Sequence, residues 1–334
     1  MATLYDVAKL AGVSPKTVSR VFNESHLVTE ETQKLVHAAV KKLDYHPNAI
    51  AASLKRRRCN VIGFVVPYGS DFVFQDVNMM EQLRGAHDIL TREGYEILIS
   101  APIRKEDALN EISRLVKHHN VDGVILYPSA GVDEIIAEFD DKKFFYVTLG
   151  MCFPGQQTNF VDISLTQSAY QATKYLIDTG HRQLGLLNRP DSFFMNTRND
   201  LLEGYQTALQ EAGIDFQTNL VYEGDYTFES GYQALLTLRE ACPAIDGLLC
   251  ASDPMLYGVI KAMQDLGLTL GKELELISVD NLPLTRKLYP GLKAIHNPAY
   301  EQGSAAGKMI IEVLKTEAPI LGVTLKSNYI SHQK

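Results

Sequence analysis

The chain has 334 residues, 46% of them hydrophobic and 22% charged, ordinary proportions for a globular protein but more length than one typical domain needs. No apolar run approaches the roughly 20 residues that span a bilayer, and the N-terminus has no apolar signal core, so we expect a cytoplasmic chain with no membrane partner. Four cysteines, Cys59, Cys152, Cys242 and Cys250, lie too far apart for a metal-site or disulfide-framework spacing and read as reduced thiols.

Charge is unevenly spread. The first 58 residues hold ten Lys and Arg against five Asp and Glu, whereas the rest holds 22 against 35. A cationic head on an anionic body suits a protein that meets a polyanion at one end. Within that head, Thr3 and Asp6 form a capping-box-like start. Leu4, Val7, Ala8 and Ala11 then make one apolar helical stripe, and Gly12 stands where a left-handed C-cap belongs. Ser14 and Pro15 read as N-cap and first-turn proline of a second helix, with Val18, Val21 and Phe22 as its buried face. Two short helices joined by a tight glycine turn describe a helix-turn-helix. Thr29 is expected to cap a third helix, whose inward stripe is Val36, Val40 and Leu43.

The second helix presents Lys16, Thr17, Ser19 and Arg20 opposite its apolar face, the inventory for reading base edges and gripping phosphates in a major groove. The bland alternative is the solvated face of a capped helix. Next, Tyr45-His46-Pro47-Asn48 breaks the helix and AIAASLKRRR follows. This segment is too short and too poorly anchored to be a helix alone. It can fold against a partner copy and DNA, with Leu54 wedging a minor-groove step, or serve as a flexible basic linker.

From Val61 onward, short apolar runs alternate with helical stretches. VIGFVVP, YEILIS, GVILY, FFYVTL, LGLLN, DGLLC and ELELISV read as buried strands, which predicts parallel sheets wrapped by helices. About 275 residues is too many for one core, so two α/β lobes are expected. Ligands of open parallel sheets lie beyond the C-terminal strand ends. That rule selects Tyr68 to Phe74 (with Phe72 and Phe74), Tyr127 to Ser129, Ser252-Asp253 and Asp280-Asn281. Carboxylates with flanking aromatics suit sugar hydroxyls, and aromatics also suit a planar base. His118, His119 and His181 lack ligand spacing, so no metal is expected. There is no P-loop, no GxGxxG after a strand and no G-x-S-x-G elbow.

TLYDVAKLAGVSPKTVSRVFN, followed by the segment from Pro47 to Leu54, resembles the LacI/GalR family of bacterial transcription regulators, and the likeness runs to the end of the chain. The resemblance implies a fold: an all-α helix-turn-helix head plus an α/β two-lobed, periplasmic-binding-protein-like body with parallel sheets. The head would span 1–46, a hinge helix and linker 47–60, and an effector-binding and dimerisation domain 61–334. Its N-lobe would take about 61–160 and 297–321, and its C-lobe about 161–296 and 322–334, with crossings near 160, 295 and 321. It also implies that Pro15, Lys16 and Arg20 read bases, that Tyr5, Thr17, Ser19 and Asn23 hold phosphates, and that Leu54 intercalates. Thr3, Ser14, Asn48, Ala51 and Lys55 complete the expected DNA surface. Pro15 has no polar group to offer a base, so Lys16 and Arg20 carry the specificity, with guanine their commonest partner.

In the body, the same likeness makes Asp280 the acidic effector ligand, Ser252 a polar contact beside Asp253, Tyr226 a stacking aromatic and Asn297 an amide contact. Ile163 and the stretch from Asp71 to Phe74 wall the cleft. One departure stands out. The family arginine three residues before the glycine of an RLxGY-like segment is Leu201 here, and Arg198, one helical turn earlier, is the candidate substitute. GHRQLGLL (180–187) matches a family signature whose glycine and histidine are expected to be structural.

The expected function is a ligand-responsive, sequence-specific repressor. It would bind a near-palindromic double-stranded operator as a homodimer, use no cofactor, and take a small-molecule effector, a sugar, in the cleft. SNYISHQK contains no heptad tail, which favours dimer over tetramer. A sugar-binding transport protein would need a secretion signal and has no use for a basic head. A cytosolic α/β sugar-processing enzyme would need a phosphate loop or an acid/base pair.

Overall fold

A computed structural model describes residues 2–23, 25–45, 58–67, 76–101, 107, 110, 112–114, 121–127, 132–150, 156–189, 200–326 and 328–330. The chain divides into two compact units, Met1–Cys59 and Asn60–Lys334.

The first unit is helical. α1 (Leu4–Ala11) starts on a reciprocal capping box. Thr3 Oγ1 accepts from the Asp6 N–H at 3.3 Å while the Thr3 N–H donates to Asp6 Oδ2 at 2.8 Å. The Thr3 hydroxyl, donating to Asp6 Oδ2 at 2.7 Å, and then the Thr3 N–H hold the Asp6 carboxyl below its usual range. Gly12, at φ 69°, ends the helix in the left-handed conformation a side chain rarely adopts. α2 (Pro15–Asn23) begins where the Thr17 N–H donates to Ser14 Oγ at 3.1 Å. α3 (Glu30–Leu43) is capped by Thr29. Val7, Ala8, Val18, Val21, Val36, Ala39 and Tyr45 form the buried core, and Leu4, Ala11, Phe22, Val40 and Leu43 pack around it.

The second unit holds two sheets. The first contains β1 (Val61–Val65), β2 (Glu96–Ser100), β3 (Gly123–Leu126), β4 (Phe145–Leu149), β5 (Phe160–Ile163) and β11 (Val323–Leu325), in the order β11-β5-β4-β3-β1-β2 and all parallel. α4 (Val77–Arg92) and α11 (Ala299–Thr316) pack together on it. Phe64, Ile125, Val147, Leu149 and Ile310 are among the residues that close this core.

The second sheet contains β6 (Leu184–Asn188), β7 (Val221–Glu223), β8 (Gly247–Cys250), β9 (Glu275–Ser278), β10 (Lys293–His296) and β12 (Asn328–Ile330), in the order β12-β10-β9-β8-β6-β7. Its ladders are parallel except the last, where β10 and β12 run antiparallel. Its helices include α6 (Leu165–Asp178), α7 (Asp200–Glu211), α8 (Phe228–Ala241), α9 (Asp253–Asp265) and α10 (Pro283–Leu288), with α5 (Val132–Asp141) on the first sheet's side of the sequence. Each sheet thus carries the doubly wound 2-1-3-4-5 order, whose switch point lies beside its first strand.

Two of the three lobe crossings fall a few residues later than the sequence implies, and the one near 295 falls where expected, after His296. Phe160 and Val161 pair with Thr148 and Leu149, which keeps β5 in the first sheet up to Ile163. Ser164 then caps α6. At the far end, Val323 to Leu325 pair with Val161 to Ile163, so that crossing comes between 325 and 328 instead of near 321. Backbone pairing, not hydropathy, sets both positions, because strands of three or four residues continue ladders already begun.

Signature residues in this region do structural work. Gly180 adopts φ 101° after α6, and His181 Nδ1 lies 3.1 Å from the Leu176 carbonyl at that helix end. In DLLEGY, a Cβ on Gly204 would sit 2.1 Å from the Thr166 carbonyl oxygen, so α6 and α7 touch backbone to backbone there. Gly204→Ala should therefore wedge the two helices apart and cost about 1–3 kcal/mol of stability. Urea unfolding of the full chain checks this, and an unchanged midpoint would contradict the close approach.

Candidate functional site

On the head, α2 turns Val18 and Val21 inward. Lys16 and Arg20 are exposed on its other side, whereas Thr17, Ser19 and Pro15 are half-buried. Ser14 and Thr17 share a hydroxyl hydrogen bond of 2.8 Å, so both hydroxyls already serve the helix start. Tyr5 is 73% exposed, a large aromatic surface for a small unit. Thr3 is exposed beside it in sequence but engaged in its cap. Asn23 closes α2, and its side chain lies outside the described residues, as do Asn48, Ala51, Leu54 and Lys55. Among the described DNA candidates, Thr3, Tyr5, Ser14, Lys16 and Arg20 are thus exposed.

In the body, the carboxyl ends of both sheets meet at a cavity of about 710 Å³. Tyr127 follows β3, Ile163 ends β5, Ser252 follows β8, Asp280 lies just beyond β9 and Asn297 follows β10, and all five line the cavity with Tyr226. These expected contacts converge although they come from two lobes. Phe72, Phe74 and Arg198 lie outside the described residues.

Asp280 is the polar centre. Its Oδ1 accepts from Asn78 Nδ2 at 2.9 Å and its Oδ2 from the Asp253 N–H at 3.0 Å. Asn78 belongs to α4 and Asp253 to α9, so one carboxylate ties the two lobes together. Desolvation first, then the negative charges of Asp253 and Asp76, push the Asp280 carboxyl well above its usual range. Asp76, the N-cap of α4, accepts from the Met79 N–H at 3.0 Å, yet burial raises its proton affinity too.

Asp253 is not a cleft residue. It is fully buried at 0% exposure. Its carboxylate accepts from the hydroxyls of Ser278 and Thr285 and from the Leu282 N–H at 2.8 Å. As the first residue of α9, it faces the loop after β9 instead of the cavity. Ser252 does reach the cavity while its hydroxyl caps α9.

Two further features were not foreseen. Arg189, one residue past β6, lines the cavity. Its Nη2 lies 3.9 Å from Asp200 Oδ2, and its guanidinium hydrogen-bonds the Tyr226 side chain. Leu201 lines the same wall and is 1% exposed, so an aliphatic side chain does occupy the position in question. Arg189 obeys the same strand-end rule that selected the other candidates, and applying it to LGLLN would have found it. Tyr226 itself is held at φ 67°, a rare conformation for a bulky residue. Burial raises its hydroxyl proton affinity, opposed by Arg189.

The second feature is a buried relay. The Tyr127 hydroxyl donates to Gln82 Oε1. Gln82 Nε2 donates to Gln302 Oε1 at 2.9 Å, and Gln302 Nε2 donates to Asn297 Oδ1 at 2.6 Å. Two cavity side chains are thereby oriented by amides on α4 and α11, a pairing of residues 220 positions apart that no local pattern reveals.

The raised Asp280 carboxyl has a thermodynamic consequence. A folded-state proton affinity above the unfolded one favours folding at low pH, and that contribution is lost as pH rises through the folded value. Asp280→Asn removes the charge and should leave melting little changed near pH 4 while stabilising the chain increasingly as pH rises, until the folded-state carboxyl is ionised. Melting curves of both proteins across that range test it, and a difference that stays constant with pH would refute the assignment.

Residues 3–48 match the family described as bacterial regulatory proteins, lacI family, and residues 173–329 match a periplasmic binding protein-like domain. The chain is 30% identical to Catabolite control protein A of Priestia megaterium over 94% of its own length and 93% of the relative's. It is 30% identical to the HTH-type transcriptional repressor PurR of Klebsiella pneumoniae, covering 93% of this chain and 90% of that one. Among solved structures, a transcriptional regulator CelR–cellobiose complex aligns at TM-score 0.74 and 25% identity, over 99% of both chains. The Lac repressor dimer bound to operator and an anti-inducer aligns at TM-score 0.86 and 24% identity, over 99% of this chain and 98% of that one, a likeness of fold. A helical head and a cleft between two doubly wound lobes are thus shared along nearly the whole length with transcription regulators, and the chain belongs to the LacI family of bacterial regulatory proteins.

Proposed function

We propose that this chain is an intracellular transcriptional repressor that binds a near-palindromic operator as a homodimer and responds to a sugar in its cleft. The observation that carries the reading is Asp280. A cavity of about 710 Å³ whose central carboxylate is bonded to donors from both lobes is one a ligand can enter only by engaging both. A ligand that favours one lobe arrangement shifts DNA affinity by the difference in its affinity for the two states. The cleft is assigned binding and no reaction.

Two-fold protein symmetry demands two-fold DNA symmetry, with one head per half-site. Lys16 and Arg20 would read base edges from α2, with Pro15 between Ser14 and Lys16 at the helix start. Tyr5, Thr17, Ser19 and Asn23 would fix register on phosphates, joined by Thr3 and Ser14. Asn48, Ala51, Leu54 and Lys55 would act in the central minor groove. Apolar surface supports pairing of bodies. Edge strand β2 leaves Leu98 and Ile99 exposed by 36% and 44%, and α10 leaves Leu284 and Leu288 exposed by 56% and 57%. In the cleft, Tyr226 would stack on the ligand, Asp280, Ser252 and Asn297 would take its hydroxyls, and Tyr127 and Ile163 would wall it. The solved cellobiose complex of a similar regulator supports the sugar assignment.

Selecting bound duplexes from a random pool and titrating the winner with and without ligand tests the reading. A protein indifferent to every duplex at low salt would end it. Lys16→Ala should cost about 1–3 kcal/mol on the selected site and relax preference at one base per half-site. Equal weakening on all sequences would make Lys16 a phosphate contact. Asp280→Ala should abolish the ligand response and spare unliganded operator binding, and a normal response would remove Asp280 from the site.

A further inference from the structure

The charges around the cavity constrain its occupant more tightly than its size does. Among the described residues, the charged lining is Asp76, Asp225, Glu229 and Asp280 against Arg189. That one cation is already engaged. Its guanidinium lies 3.9 Å from the Asp200 carboxylate, with side-chain exposures of 9% and 11%, and it also hydrogen-bonds Tyr226. Asp253, though outside the cavity, adds a further negative charge beneath Asp280.

The two innermost carboxylates come from opposite lobes and keep acceptor capacity. Asp76 Oδ1 serves the Met79 N–H, and the Asp280 oxygens serve Asn78 and the Asp253 N–H. A carboxylate offers about four lone-pair sites, so each can accept from a ligand as well. Hydroxyl or ammonium donors placed there complete both groups. A phosphate or carboxylate would add a like charge to a desolvated lining in which, among the described residues, four carboxylates face one guanidinium already paired with Asp200, and such juxtaposition is strongly unfavourable.

Resting on the reading of this cleft as the effector site, we propose that it admits polyhydroxy ligands that are neutral or carry an amine and rejects their anionic counterparts, with Asp76 and Asp280 setting the discrimination. Rejection is built in as a repulsive element, the usual device when attractive contacts alone cannot separate close analogues. The rule distinguishes free sugars from phosphorylated or oxidised ones, a distinction that hydroxyl contacts by themselves do not make.

The test is a charge-matched series on the full chain, read by calorimetry. Glucose, galactose, mannose and cellobiose serve as neutral probes, glucosamine and galactosamine as amines, and the 6-phosphates and uronates as anions. Adenosine and adenosine monophosphate extend the series to a different scaffold. On any scaffold that binds, the neutral or amine member should bind about a hundredfold more tightly than its anionic partner. Asp76→Asn should bring the two within about tenfold. An anion binding as tightly as its neutral parent overturns the charge rule and leaves the effector site standing. Binding confined to adenosine removes the sugar assignment while upholding the charge rule. Failure of every probe, in a protein that still binds its operator, overturns both.

Discussion

Asp280 accepts hydrogen bonds from Asn78 on one lobe and from the Asp253 backbone on the other, and the rest of the cleft is arranged around that carboxylate. It sits just past the end of β9 and at the start of α9, where the unpaired N–H groups of a helix favour negative charge. The same position brings it against Asp253, another carboxylate. Two such groups in contact are tolerable because Asp253 is saturated by Ser278, Thr285 and Leu282. Asp253 therefore organises the loop after β9 and leaves Asp280 as the one that meets the cavity. Asp280, with Asn78 opposite, makes the inter-lobe link sensitive to whatever fills the space between them.

The head solves a smaller problem with local means. Its three helices are each started by a side-chain cap, Thr3, Ser14 and Thr29. A handful of small and branched residues close the core, and Tyr45 packs at its edge. Among the described side chains of α2 only Val18 and Val21 are buried, so Lys16 and Arg20 stand exposed without disturbing the packing.

Much of this was legible from the sequence, and the parts that were not have physical reasons. The long apolar runs such as VIGFVVP and ELELISV announced their strands, and the caps of the head announced its helices. β5, β7, β10, β11 and β12 are three or four residues long and carry polar residues such as Asp162, Glu223 and Lys293. They exist as extensions of neighbouring ladders, so no local period betrays them, and the crossings set by β5 and β11 were placed a few residues too early. In the site, the strand-end rule located Tyr127, Ser252 and Asp280, and the family likeness added Ile163, Tyr226 and Asn297. It misread Asp253 because a helix's first residue can point backward into its own loop. Gln82 and Gln302 were invisible, since each matters only through a partner brought near by folding.

The chain passes between lobes at three places, after Ile163, after His296 and between Leu325 and Asn328. Three strands of covalent backbone acting side by side are stiff against sliding and separation, and they yield together only to rotation about a shared axis. Three parallel connections thus favour rotation of one lobe against the other over separation of the two. Under the proposed reading, a ligand in the cleft would need only to bias one angle to turn one lobe against the other.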